Sequence, residues 1–238
     1  MNCEKFTRNQ ASNILVHCNR SDPTRTYGNQ EIHPERTYLN YNLGPEHFGL
    51  TDFQFMKKRC EDLKVLKRND VNWMVSWVVT MPADYKGNQK RFFEESYKFM
   101  ANKYGYENII SAYVHLDETS PHMHFCFVPA IFDDKKQKTR VNAKKLINKV
   151  ELKKIHPEMQ EYLEKQLQTK VNILNGATEN GNKSIEQLKK EEPIKRQAIK
   201  ELIENKVPIT PMIIGYEMFA IFDEFSDKEI WKRADQII

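Results

Sequence analysis

Three histidines and two carboxylates lie close together in the middle of the 238-residue chain, within residues 115–127. The segment contains the alternating run His122-Met123-His124-Phe125, which is typical of a strand. Because successive side chains of a strand point to opposite faces, His122 and His124 point the same way, and Met123 and Phe125 point into a core. The sequence therefore predicts two imidazoles side by side on one face of a sheet.

A third imidazole comes from His115, which ends the apolar, strand-like run 109–115. If the two strands are neighbours, their cross-strand Cβ atoms lie about 5 Å apart, close enough for His115, His122 and His124 to converge on one divalent cation. Three ligands leave coordination positions open for a substrate oxygen, as a catalytic metal requires. The segment thus predicts a metal site, with a passive metal site or a chance cluster as the alternatives.

Two carboxylates, Asp117 and Glu118, lie between these strands. Each could orient a histidine, bind the metal, act as a base or be a solvated turn residue. Three imidazoles do not distinguish manganese, magnesium and zinc, whereas a carboxylate ligand at Glu118 favours a harder ion. The sequence alone does not choose among these roles for either carboxylate.

The elements that must position these residues follow from hydrophobic patterns. Residues 73–81 form a nearly continuous apolar run, typical of a central strand, and residues 91–104 repeat apolar side chains at helical spacing before Gly105. The order strand, helix, strand, turn, strand over residues 73–128 predicts an α+β fold. We expect a central antiparallel sheet with a helix on one face and the histidines on the other.

The composition changes after Pro129, in the remaining part of the chain. It predicts a charged turn at residues 133–138, helices over 143–155 and 158–169, and a helical C-terminal extension. We predict a catalytic domain over residues 1–200 and an apolar and charged helical tail over 201–238, which could cover the domain or make an oligomer contact.

Composition and charge narrow the class of protein. No run of about 18 apolar residues and no apolar signal-peptide core are found, so a cytoplasmic protein without membrane insertion is expected. The four cysteines have no paired spacing and are expected to be reduced. The net charge is only +4, but many basic residues fall in the N-terminal quarter. This arrangement suits a polyanionic partner, although solvated surface charge explains it equally well.

A second group of chemically capable residues lies near the N-terminus. His17 is followed by Arg20, and then by residues 32–41. Together with the middle segment, this group resembles the plasmid mobilisation relaxases of the Mob/Pre (MobV) type, which are histidine-hydrophobe-histidine endonucleases. The run His115 to His124, followed by Val128-Pro129, is similar to the metal motif of that family almost throughout. The N-terminal group is similar to the family's first motif at six positions, namely His17, Arg20, Ile32, Arg36, Asn40 and Tyr41.

The chain departs from the family pattern at two places. Cys18 stands where the family usually has an asparagine, with Asn19 one residue later, and His33 stands where the family has an aspartate. The resemblance covers roughly residues 5–200 and does not reach the tail.

The resemblance implies an enzyme that nicks one DNA strand at a plasmid or mobile-element transfer origin, stays attached to the 5′ phosphate and later rejoins the strand. It implies His17 as the nucleophile, so that the adduct is a phosphoramidate. Arg20 would hold phosphate, and Glu118 would orient His17 or bind the metal. The metal, with Mn²⁺ expected and Mg²⁺ or Zn²⁺ as alternatives, would be bound by His115, His122 and His124.

The partner implied by the resemblance is DNA, as the single strand around the nick and as a hairpin of the origin, with other transfer proteins as further partners. Bases would stack on aromatic side chains, and helices such as 143–155 would read the hairpin. The predicted DNA-binding residues are Arg25, Arg36, Tyr38, Asn40, Lys144 and Lys145.

Other classes of function remain open. A replication initiator or transposase of the same superfamily would use a tyrosine nucleophile, for which the candidates are Tyr27, Tyr38 and Tyr41, and Cys18 is a weaker nucleophile candidate. A non-catalytic regulator would keep the metal for structure and bind DNA without forming an adduct. A small-molecule metallohydrolase would lack salt-dependent affinity for DNA.

Overall fold

The computed structural model describes residues 1–22 and 32–174. Within them, seven strands and five α-helices alternate with short 3-10 helices at Pro34–Leu39 and Tyr106–Asn108. The strands are β1 (Asn2–Thr7), β2 (Tyr41–Asn42), β3 (Asn72–Thr80), β4 (Ile109–His115), β5 (His122–Phe127), β6 (Ala130–Asp133) and β7 (Lys138–Val141). The α-helices are α1 (Arg8–Asn19), α2 (Asp52–Asp62), α3 (Gln89–Tyr104), α4 (Ala143–Leu146) and α5 (Lys149–Leu167).

The centre of the fold is a five-stranded sheet in the order β1-β3-β5-β4-β2, in which every neighbouring pair is antiparallel. The central strands β3, β5 and β4 are the long apolar ones, as expected for strands covered on both faces. The register places His115 opposite His122 and Val78 opposite His124. The predicted strand, turn, strand arrangement of the histidine segment is confirmed.

Helices cover both faces of the sheet. On one face, Trp77, Met123 and Phe125 pack in a core with residues of α3 and α5. On the other face, residues of α1 and α2 pack in a second core that includes Met74 and Cys126. Because the side chains of β5 alternate, His122 and His124 lie on the same face as Cys126, towards α1. The predicted sheet, with a helix on one face and the histidines on the other, is confirmed.

Local sequence signals fix the ends of the helices next to the site. Thr7 and Gln10 form a capping box at the start of α1, which satisfies backbone N–H groups that lack a helical partner. Arg20 ends α1 in the left-handed region, with φ of 50°. Asn88 caps the start of α3, and Gly105, with φ of 87°, ends α3 where the sequence predicts.

Two predicted helix boundaries are wrong. The helix predicted over 143–155 is interrupted at Asn148, whose side chain accepts hydrogen bonds from the next backbone N–H groups and starts α5. Residues 158–169 are not a separate helix, because α5 continues through Pro157. A proline inside a helix costs about 3 kcal/mol. Burial of Ile155, Met159 and Leu163 in the core offsets this cost, since each buried aliphatic side chain contributes about 1.5–3 kcal/mol.

Some elements escaped sequence analysis altogether. These are β1, α1, β2, α2 and the hairpin β6–β7, whose tip is the charged turn predicted at 133–138. All four cysteines are free thiols, as predicted. Within the described residues, no helix combines the length and the apolar character needed to cross a bilayer. The proposed boundary at residue 200, the helical extension and the tail 201–238 lie outside the described residues.

Candidate metal and nucleophile centre

Three imidazoles converge on the α1 face of the sheet. The ring centroids of His115 and His122, which are opposed across β4 and β5, lie 5.2 Å apart. The His124 centroid lies 4.8 Å from that of His115 and 4.9 Å from that of His122. The structure thus brings together the three residues that the sequence predicts as ligands.

Backbone carbonyls orient two of these rings. His115 Nε2 lies 2.7 Å from the carbonyl oxygen of Cys18, and His122 Nδ1 lies 2.8 Å from that of Ser120. A carbonyl accepts only, so these ring nitrogens carry the protons, and the lone pairs of His115 Nδ1 and His122 Nε2 are directed elsewhere. His122 Nε2 lies 3.1 Å from His124 Nε2. Metal–nitrogen bonds of about 2.0–2.1 Å place two ligand atoms at about this separation, so the spacing of these two nitrogens fits a shared metal ion.

The protonation of the cluster also fits metal binding. Burial lowers the pKa of His122 below its ordinary value, and burial together with the neighbouring imidazoles lowers the pKa of His124 further. Both rings are therefore neutral at neutral pH. Because a metal binds only the deprotonated nitrogen of an imidazole, neutral rings bind a metal without first losing a proton.

Glu118 adds an oxygen to the cluster. Its Oε1 atom lies 3.5 Å from His115 Nδ1 and 3.9 Å from His122 Nε2. Burial would raise the pKa of Glu118, but its contacts with His115, His122 and Arg20 outweigh burial and hold the pKa at about 2. The side chain is therefore a carboxylate, a hard ligand, within reach of two imidazoles.

His17 approaches the cluster from α1. Ala11, Leu15 and Cys18 bury one face of this helix against the sheet, and this packing brings the adjacent His17 to the histidine cluster. The His17 ring centroid lies 5.5 Å from that of His124 and 5.8 Å from that of His115. Burial, Arg20 and the neighbouring imidazoles lower the pKa of His17 to about 4. His17 is thus a neutral imidazole beside the metal donors, which is the state that a nucleophilic histidine requires.

Arg20 lies between His17 and the carboxylates. Its Nη1 atom donates to the His17 carbonyl at 2.7 Å and lies 3.1 Å from His17 Nδ1. Its Nη2 atom donates to Glu118 Oε1 at 2.5 Å and lies 3.1 Å from His115 Nδ1. Its Nε atom donates to Asp117 at 3.1 Å. Because these contacts use its N–H groups, the guanidinium would bind a phosphate oxygen next to the candidate nucleophile by exchanging one of them.

The residues predicted to bind DNA lie in different surroundings. Arg36 and Tyr38 are exposed on the 3-10 helix Pro34–Leu39, and Tyr38 is 82% exposed. Asn40 accepts a hydrogen bond from the Leu116 N–H at 2.7 Å, so it holds the turn that follows β4. Lys144 and Lys145 are exposed on α4, and Lys145 lines a cleft of about 480 Å³ with both basic and acidic residues of the β6–β7 hairpin. Arg25 lies outside the described residues.

Tyr41 and Cys18, two of the alternative nucleophiles, are less well placed than His17. Tyr41 pairs with Val114 and packs against the core of the α3 face, so it lies across the sheet from the histidines. Burial raises its pKa to about 12. Cys18 is buried, and a hydrogen bond with Cys126 together with burial raises its pKa well above the ordinary value. Tyr27 lies outside the described residues.

Comparison with known protein families assigns the chain to one of them. The family model Mob_Pre, described as plasmid recombination enzyme, matches residues 1–190. The chain belongs to this family. The resemblance seen in the two motifs is thereby confirmed.

Curated members of the family are longer than this chain. A plasmid recombination enzyme of Lactiplantibacillus plantarum is 31% identical over 167 residues, which cover 67% of this chain and 45% of the relative. The plasmid recombination enzyme type 1 of Staphylococcus aureus is 32% identical over 191 residues, which cover 75% of this chain and 45% of the relative. The chain therefore spans about half the length of these Mob_Pre relatives.

Solved structures of a Mob_Pre relaxase share the fold. The Mn-bound MobM relaxase domain in complex with plasmid pMV158 oriT DNA at pH 6.8 matches with a TM-score of 0.66 and 27% identity, covering 80% of this chain and 96% of that one. A second crystal structure of this domain, at pH 5.5, matches with a TM-score of 0.64 and 27% identity, covering 80% of this chain and 97% of that one. The predicted α+β relaxase fold is confirmed.

Sequence reasoning missed how these residues are held. The carbonyl of Cys18 carries no side-chain signal, although it orients His115. Asp117 contacts Arg20 and Thr37 through space, across 97 and 80 residues of sequence. The signal that could have helped is the conjunction of a histidine and an arginine three residues apart near a helix end, which places both side chains on one side of the last turn.

The lowered pKa of His17 predicts that the metal-free protein loses stability as the pH falls. The ordinary pKa is 6.5, and the pKa of His17 in the fold is about 4. Between these values the unfolded chain binds a proton that the folded chain does not bind. The free energy of unfolding is therefore unaffected by the titration of His17 above about pH 6.5, and it decreases as the pH falls from there towards about 4.

Urea denaturation at about pH 7 and about pH 5, with a chelator present, measures this loss. His17→Ala is expected to reduce the difference in unfolding free energy between the two pH values. An identical difference in both proteins would mean that His17 titrates normally in the fold.

Proposed function

We propose that the chain carries the catalytic part of a plasmid relaxase, which nicks one DNA strand at a transfer origin and later rejoins it. The observation that carries this proposal is the neutral imidazole of His17, centred 5.5 Å from His124 of the three-imidazole cluster and in contact with Arg20. Membership of the Mob_Pre family and the likeness to a relaxase domain bound to oriT DNA support it.

In the proposed reaction a lone pair on a ring nitrogen of His17 attacks the scissile phosphorus. The bond between phosphorus and the 3′ oxygen breaks, and that oxygen leaves with the electron pair and takes up the proton that the other ring nitrogen of His17 loses. The 5′ phosphate then remains attached to His17 through a phosphorus–nitrogen bond. Rejoining is the reverse, in which the 3′ hydroxyl attacks the phosphoramidate and releases neutral His17.

His115, His122 and His124 are the proposed ligands of a divalent metal, which would neutralise charge on the scissile phosphate. Glu118 Oε1, at 3.5 Å from His115 Nδ1, lies close enough to join them as an oxygen ligand. An oxygen donor among imidazoles suits Mn²⁺ or Mg²⁺ better than a purely nitrogen site does, and Mn²⁺ is bound by the similar MobM domain. A metal on His115 Nδ1 would replace the contact of that nitrogen with Arg20 Nη2.

Arg20 is the proposed phosphate-binding group beside the nucleophile. Its Nη1 atom lies 3.1 Å from His17 Nδ1, so a phosphate oxygen bound to this nitrogen places its phosphorus near the attacking ring. Electrostatic stabilisation of the charge that develops on such an oxygen is commonly the largest catalytic term.

The proposed DNA partner predicts a measurable role for Lys144 and Lys145. Replacing both with glutamate is expected to weaken binding of origin DNA and to lower the salt dependence of log K by about 1 for each phosphate that the lysines no longer neutralise. Fluorescence anisotropy over a series of salt concentrations measures both quantities. The matched control is the double change Lys86→Glu and Lys90→Glu, which makes the same charge change at exposed positions near the start of α3. Equal effects of the two double changes would show that net charge alone matters.

Nicking of supercoiled DNA tests the proposal. The substrate is a plasmid that carries the DNA flanking the protein's own gene, incubated with the protein and Mn²⁺ and then treated with detergent and protease. Conversion to the open circular form, with an unrelated plasmid left intact, is the expected result. If the protein binds the flanking DNA tightly and never nicks it, a regulatory DNA-binding protein is the better account.

A further inference from the structure

Asp117 is a buried charge beside the centre that the proposed reaction does not use. Its side chain is fully buried, at 0% exposed. It accepts from Arg20 Nε at 3.1 Å and from Arg20 Nη2 at 3.4 Å, one contact to each carboxylate oxygen. Thr37 Oγ1 donates to the same carboxylate at 3.0 Å. The backbone carbonyl of Asp117 also accepts from the His33 N–H at 2.8 Å.

A buried carboxylate persists only when it is paired and hydrogen-bonded, and here both conditions hold. Asp117 and Arg20 therefore form a desolvated ion pair, with the Arg20 side chain only 5% exposed. Such a pair is rigid because breaking it leaves an uncompensated charge in the interior.

The geometry shows what this rigidity achieves. The guanidinium has a fixed planar fork, and Asp117 holds the edge made by Nε and Nη2. With that edge fixed, Nη1 is directed at His17, and the remaining donor capacity of Nη2 is directed at Glu118. Glu118 alone would not fix the plane, because it accepts from the guanidinium at Nη2, and one such bond leaves the fork free to rotate about it.

We infer that Asp117 is a positioning residue: it fixes the plane of the Arg20 guanidinium beside His17 and ties it to the 3-10 helix Pro34–Leu39. The catalytic importance of the fixed guanidinium rests on the proposed function, since Arg20 must act on the phosphate. The link to the 3-10 helix follows from Thr37 and His33, which attach the middle and start of that helix to Asp117. Arg36 and Tyr38 are exposed on this helix, so one carboxylate links a candidate DNA-facing segment to the candidate phosphate-binding arginine.

The first test does not depend on activity. In ¹⁵N-labelled protein, the Arg20 Nε–H group is expected to give a slowly exchanging NMR signal, because Asp117 accepts from it in the interior. Asp117→Asn, which keeps the shape of the side chain, is expected to shift this signal strongly or broaden it beyond detection. Thr37→Val, which removes a different side-chain donor to the carboxylate, is expected to leave the Nε–H signal in place. An unchanged Nε–H signal in Asp117→Asn would overturn the inference.

The second test separates positioning from a general loss of structure. Asp117→Asn is expected to slow single-turnover cleavage by about 10–100-fold with DNA affinity changed by less than about threefold. In a double-mutant cycle with Arg20→Ala, the double variant is expected to be no slower than Arg20→Ala alone, because Asp117 acts through Arg20. Multiplicative losses would instead assign Asp117 a merely structural role.

A second variant, Asp117→Glu, and the unaltered protein complete the test. If Asp117→Asn does not fold, Asp117→Glu retains the charge, and it is expected to keep a shifted Nε–H signal with an intermediate cleavage rate. Loss of that signal in a folded Asp117→Glu protein would count against the positioning role. If the unaltered protein cleaves no DNA, the proposed function fails while the NMR result still decides whether Asp117 holds Arg20.

Discussion

Replacing His17 with alanine is expected to abolish covalent attachment and to slow strand cleavage by about 10⁴-fold or more, the scale seen when an enzyme loses its nucleophile. His17 lies beside the histidine cluster with a pKa of about 4, so it attacks without first losing a proton. Affinity for origin DNA is expected to change by less than about threefold, because the reaction needs the ring only at one phosphate. Single-turnover cleavage of oligonucleotides tiled across the DNA flanking the gene, together with fluorescence anisotropy, measures both quantities.

His33 provides the matched control. It is a histidine in the same N-terminal part of the chain, its side chain is 52% exposed, and its bond to Asp117 is made by the backbone. His33→Ala is expected to cleave at a rate within about twofold of the unaltered protein. A His17→Ala protein that cleaves at a comparable rate would remove His17 from the nucleophile role. Equal loss of cleavage and of DNA binding in His17→Ala would indicate a structural effect instead.

Replacing His122 with alanine is expected to remove the metal and, with it, most of the activity. The change leaves only His115 and His124 of the three imidazoles, and His122 Nε2 is the atom that lies 3.1 Å from His124 Nε2. We expect bound Mn²⁺ to fall from about one ion per chain to a small fraction, and cleavage to fall by about 10³-fold, since a metal supplies several kcal/mol of charge stabilisation. Elemental analysis after gel filtration and titration with Mn²⁺ measure the binding.

His156 is the control for this change. It lies on α5, half-buried, with its ring 6.3 Å from that of Trp77 on the opposite face of the sheet. His156→Ala is expected to keep the metal and the activity even if its unfolding midpoint falls. Full Mn²⁺ occupancy in His122→Ala would exclude His122 from the ligand set. Loss of occupancy with full cleavage would show that the metal is not catalytic.

The parts of the fold that could be predicted are those with strong local patterns. Alternation in β5 placed His122 and His124 on one face, and the apolar run 109–115 identified β4 with His115 at its end. Gly105 marked the end of α3 because a positive φ is easy only for glycine. These elements contain the imidazole cluster, so the proximity of the three rings was readable from the sequence.

The parts that escaped prediction depend on packing between distant segments. The passage of α5 through Pro157 is decided by burial against the core, which overrides the local signal of a proline. The position of His17 beside the cluster was carried by the family resemblance and not by its neighbours in sequence. In the fold it results from the packing of Leu15 and Cys18 on the sheet. The contacts of Asp117 with Arg20 and Thr37 have no local signature at all.

The most direct test of the central proposal is the mass of the protein after reaction with DNA. The protein and Mn²⁺ are incubated with single-stranded oligonucleotides that together span the DNA flanking the gene, and intact-mass spectrometry is followed by peptide mapping under conditions that preserve the acid-labile phosphorus–nitrogen bond. We expect an adduct on the peptide that contains His17, absent from His17→Ala and from His122→Ala. An adduct on a tyrosine, or nicked DNA with no adduct on the protein, would contradict the proposal.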